Sequence, residues 1–91
     1  MIKDARFYFA SLGVDVGRCV SALLKDDLGR YQDHLAEAHR TLEYLRGTVR
    51  TSAYEEGKLM LLGMKLARED NKLSEFNDQL NELIAEYSPL V

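Results

Sequence analysis

Apolar residues recur along almost the whole chain at alternating intervals of three and four. Ile2, Ala5, Phe9, Leu12, Val16, Cys19 and Leu23 follow this spacing, and so do Leu28, Tyr31, Leu35, Ala38, Leu42, Leu45 and Val49. A third run, Leu59, Leu62 and Leu66, is flanked by Met60 and Met64, and a fourth joins Leu73, Phe76, Leu80, Leu83 and Tyr87. Such intervals put the members of each run on one side of a helix. No stretch alternates with period two for long enough to argue a strand. The pattern predicts an all-α fold with helices over 4–25, 28–47, 53–69 and 74–87, in one domain covering 1–91. Short connections place consecutive helices antiparallel, so the four form two helical hairpins in a bundle.

The polar positions between these runs supply the boundaries. Asp26 and Asp27 suit the start of the second helix, where a carboxylate accepts from free N–H groups and complements the dipole. Gly47 loosens its end. Ser52-Ala-Tyr-Glu55 has the spacing of a capping box for the third helix. Residues 69–72 form a turn, Ser74 is placed to cap the fourth helix, and Pro89 ends it. Residues 27–38 also align without gaps with 72–83: the leucines, Asp33 with Asp78 and Glu37 with Glu82 coincide, and Tyr31 meets Phe76. Two readings fit this likeness, a duplicated hairpin or the general similarity of capped amphipathic helices. The "LGRY" turn-and-helix is superficially similar to tetratricopeptide hairpins. His34 and Thr41, however, occupy positions where that repeat takes small residues, so no family follows from it.

The first helix carries two glycines, Gly13 and Gly17, at a cost of roughly 0.5–1 kcal/mol each relative to alanine. Helical residues on both sides exclude a phosphate-binding loop, which follows a strand. Asp15 between the glycines and Arg18 after them exclude a membrane dimer motif. Ala10, Gly13, Gly17 and Ser21 instead form a ribbon of small residues that lets another helix approach closely. Gly63 and Ala67 of the third helix form a second small surface that could meet it. Phe7, Tyr8 and Val14 lie off the main apolar stripe, and a helix apolar on nearly every side is covered on nearly every side. The expectation is a second chain lying on the first helix, with Phe7, Tyr8, Gly13, Val14 and Gly17 as the interface.

Composition narrows the function. The 91 residues carry a net charge of −3, so the overall balance does not draw the chain to nucleic acid or anionic membranes. Lys3, Asp4 and Arg6 interrupt the N-terminal segment as a signal sequence, and the spacing of charges leaves no run of the ~20 apolar residues a span needs. Cys19 is the one cysteine, so no intrachain disulfide forms. A cytoplasmic protein is expected.

His34 with Glu37 and His39 with Glu43 share helix faces, but no histidine stands on another helix to complete a metal shell. No Ser/His/Asp or Cys/His arrangement is legible. The chain therefore reads as a non-enzymatic protein–protein interaction or regulatory module. It is expected to self-associate through helix one as a homodimer, or to bind another helical protein, with no cofactor, metal or small-molecule substrate. The alternative is a phosphate- or nucleic-acid-binding domain using Arg40, Arg46 and Arg50.

Overall fold

The computed structural model describes residues 4–48 and 51–87 and contains four helices: α1 (Ala5–Leu24), α2 (Leu28–Arg46), α3 (Thr51–Glu69) and α4 (Leu73–Tyr87). They form the all-α bundle that the apolar spacing predicts. Asp4 caps α1 by accepting the Phe7 N–H at 3.0 Å, and Asp27 caps α2 by accepting that of Arg30 at 3.1 Å. Two expected caps are not used. α3 begins at Thr51, so Ser52 lies inside the helix, and Glu55 reaches forward to Lys58 at 2.9 Å instead of back. α4 begins at Leu73, which puts Ser74 inside it as well. Arg50, Val49, Ile2 and Pro89 lie outside the described residues.

The turns after α1 and α3 are built alike. The Asp26 N–H bonds the Leu23 carbonyl and the Asp27 N–H bonds that of Ala22 (3.1 and 2.8 Å). Asn71 and Lys72 make the same bonds to Arg68 and Ala67 (3.3 and 2.7 Å). This crossed pair satisfies helix-end carbonyls and requires a left-handed residue just past the helix. Asp26 (φ 59°) and Asn71 (φ 60°) supply it, from the two side chains that accept this conformation most readily after glycine. The ends of α1 and α3 (24 and 69), the starts of α2 and α4 (28 and 73) and the left-handed residues (26 and 71) share the register in which 27–38 aligns with 72–83.

α1 is the hub of the bundle. It packs against α2, α3 and α4, whereas α2 and α4 do not meet among the described residues. Leu12, Val16, Cys19 and Val20 of α1, Leu45 of α2 and Met64 of α3 are fully buried, and Leu80 of α4 closes on them. Three neighbours within the chain account for a helix that is apolar on most of its circumference. One expectation loses part of its ground here and another is corrected. No second chain is needed to cover most of α1. And α1 is by length and composition apolar enough to cross a membrane, with a mean hydropathy of 1.3; a helix buried at the centre of a bundle has the same composition.

Candidate interaction surface

α3 turns the expected way round on its axis only in part. The sequence assigns Leu59, Leu62 and Leu66 to the core, flanked by methionines. In the fold Gly57, Met60, Leu61 and Met64 face inward, while Leu59, Leu62 and Leu66 are 63%, 48% and 51% exposed. Two apolar faces compete on this helix. The inward one combines a glycine, which admits neighbours, with methionines, whose flexible chains fill irregular space. A Cβ on Gly57 would stand 2.8 Å from Leu12, 3.0 Å from Leu42 and 3.1 Å from Leu45. Three leucine termini thus converge where any side chain would collide. The leucines at intervals of three and four are left as a ridge along the outside, the geometry of a coiled-coil seam.

An asymmetry between the two hairpins opens a groove on each side of this ridge. On one side of the bundle α4 lies against α1: Ile84 covers Gly13 and Leu80 packs on Gly17. In the internal register the corresponding positions are Lys58 and Leu62 on α3, with His39 and Leu35 on α2. There bulky side chains replace both glycines. α2 and α3 stay apart over a groove of about 290 Å³ lined by Tyr31, Leu35, His39, Leu61, Leu62 and Lys65, among others. Because α4 is drawn toward α1, a second groove of about 320 Å³ opens between α3 and α4. Leu59, Met60, Phe76 and Leu83 line it, Phe9 forms its floor, and Glu56 and Gln79 supply its polar groups. The ring of Phe76 lies over Gly63, so the second small surface meets α4 and not the glycine ribbon of α1.

The residues expected at the interface on α1 divide. Gly13 is buried beneath Ile84 and Gly17 is half-buried against Leu80, so the groove between the glycines is filled by α4 of the same chain. Phe7 and Val14 remain 44% and 41% exposed, seven residues apart on the outer side of α1. Tyr8 is half-buried between two rings, edge-on to Phe7 at 5.4 Å and tilted against Tyr44 at 5.5 Å.

Among the described residues the polar candidates do not converge. Arg40 bonds Glu37 at 2.7 Å and Arg46 bonds Glu43 at 3.3 Å. Six residues of helix turn these two arginines about 120° apart, so they present no common face. The carboxylates beside both histidines are therefore engaged by arginines, and among the described residues no three His, Cys, Asp or Glu side chains gather as a metal shell. A shallow cleft at the α1–α2 turn brings Arg18, Lys25, Arg30 and His34 near Asp27, which ion-pairs with Arg30 at 3.6 Å.

Between α1 and α2 the Thr41 hydroxyl donates to Asp15 Oδ2 at 2.8 Å. Burial pushes the Asp15 carboxyl above the usual carboxylate range. The Thr41 bond pulls it back, Glu37 adds to the upward push, and Arg18 and His34 oppose it. Burial, with Asp15 nearby, raises the Cys19 thiol to about 11, so it packs as a small hydrophobe and not as a nucleophile. Comparison of the chain with family models, curated proteins and solved structures gave no match.

Proposed function

We propose that this protein is a non-enzymatic interaction module that docks an amphipathic helix along α3. The observation that carries the reading is the exposed ridge of Leu59, Leu62 and Leu66 with an apolar groove on either side. Full burial of a leucine is worth about 1.5–3 kcal/mol. With each of the three half-exposed, covering the ridge gains roughly 2–5 kcal/mol before association costs. A helix with leucines at the same intervals fits this surface, its knobs entering the spaces beside the ridge. An exposed apolar strip rimmed by charge is the usual mark of such a site.

This reading moves the docking surface from helix one to α3, because Gly13 and Gly17 are occupied by Ile84 and Leu80. It is preferred to the anion-binding alternative with Arg40, Arg46 and Arg50, because Arg40 and Arg46 are paired with glutamates on different sides of α2. The test is binding of a fluorescent peptide of about 21 residues (three heptads) carrying a leucine seam with mixed charged flanks. Saturable binding that Leu62→Glu abolishes without loss of helicity is expected. No binding, or equal binding by the variant, contradicts the proposal.

A further inference from the structure

We infer that the helix docked on this ridge is α3 of a second copy of the chain, running parallel to the first about a two-fold axis along the leucine seam. The inference rests on the reading of α3 as the docking surface and adds the identity and direction of the occupant.

Charge on the two flanks of the ridge carries it. The α2 side carries Lys65, which lines that groove beside His39, and Lys58, seven residues before Lys65 on the same side of α3 and paired there with Glu55 at 2.9 Å. The α4 side is acidic: Glu56 lines that groove, and Glu75 stands one turn before Gln79, which lines it too. Two identical faces can pair about a two-fold axis in two ways. An axis across the helices makes them antiparallel and keeps like flanks together, basic on basic and acidic on acidic. An axis along the helices makes them parallel and exchanges the flanks, so the Lys65 flank of each copy faces the Glu56 and Glu75 flank of the other. Opposite charges across a seam select pairing and like charges oppose it. In the parallel arrangement Leu59, Leu62 and Leu66 each meet their own counterparts.

The extent of the seam also fits a closed pair. Glu55 and Glu69 occupy the next seam positions before and after the three leucines, which stops the contact from extending along the helix. Glu55 is already neutralised by Lys58 at 2.9 Å. The seam between Glu55 and Glu69 is about 21 Å long, and a strip of that length about as wide as the bundle's 21 Å short dimension covers roughly 440 Å² per copy, the size of a weak, transient contact. Weak, reversible association is expected of a contact this small.

Light scattering on the whole chain, from about 5 to 500 µM, combined with oxidation of Leu59→Cys, Leu62→Cys and Leu66→Cys variants, tests this. The expected result is a mass rising from 10.4 kDa toward twice that value, with all three variants forming disulfide-linked pairs. Cys19 is fully buried and does not compete. Leu62→Glu and the more exposed Leu59→Glu are each expected to weaken association more than tenfold while keeping helicity. A monomer at every concentration that still binds the leucine-seam peptide overturns the second copy and leaves α3 as the docking surface. Pairs linked only through Leu62→Cys overturn the parallel direction. A dimer indifferent to both glutamate variants overturns the surface itself.

Discussion

A Cβ placed on Gly13 would stand 2.6 Å from Cγ1 of Ile84, whereas one placed on Gly17 would stand 3.7 Å from Cδ2 of Leu80. The two glycines are one turn apart on α1, yet only the first is required by α4. Alanine gains up to about 1 kcal/mol over glycine in a helix interior. At Gly17 that gain meets ordinary contact, so Gly17→Ala is expected to stabilise the fold by about 0.5–1 kcal/mol. At Gly13 the Ile84 side chain must be displaced near its branch point, and Gly13→Ala is expected to cost about 1–2 kcal/mol net. Denaturant unfolding checks both. Shifts of the same sign at the two positions would contradict the α1–α4 seam.

Gly57 makes a stricter demand. Its missing side chain is replaced by leucines from α1 and α2, and Leu45 is fully buried with no space to retreat into. Gly57→Ala is expected to cost about 1–3 kcal/mol by overpacking. Adding Leu42→Ala, which empties part of that space, is expected to cost less than the sum of the two single changes. Strict additivity in a double-mutant cycle would mean that the three side chains do not share the site.

Much of this architecture is legible in the apolar spacing. The intervals in α1, α2 and α4 place Leu12, Val16, Leu45 and Leu80 in the core, where they lie, and Asp27 caps α2 as its position suggests. The spacing misleads on α3, because two apolar faces satisfy the same periodicity there. Which face turns inward depends on the opposing helices, where Gly57 alone admits Leu12, Leu42 and Leu45. The surplus apolar residues of α1 had a similar ambiguity. Phe7 and Val14 do stay exposed, but the glycine ribbon is covered by α4 of the same chain, a long-range contact that local pattern does not encode. For the same reason the ridge was readable as leucines but not as surface.

Asp15 couples the α1–α2 contact to pH. Its carboxyl is held above the ordinary value of 3.8, chiefly by burial, so the folded chain holds this proton to higher pH than the unfolded chain does. Its contribution to stability therefore falls as pH rises from about the unfolded value through the folded one, and stays at its lower level above that. Asp15→Asn keeps an acceptor for Thr41 and lacks this titration. Relative to the parent, its stability is expected to rise across that acidic window and then level off toward neutrality. A difference independent of pH would show that the Thr41 bond cancels the effect of burial, and one that changes in the opposite direction that it outweighs it.

Whether a second chain covers α3 or α1 is decided by methyl NMR with a soluble paramagnetic agent, recorded on dilute and concentrated protein. With rising concentration, the methyl signals of Leu59, Leu62 and Leu66 are expected to become protected from the agent, while those of Val14 stay as accessible as before. Protection of Val14 with no change at the three leucines would return the interface to helix one and contradict the account.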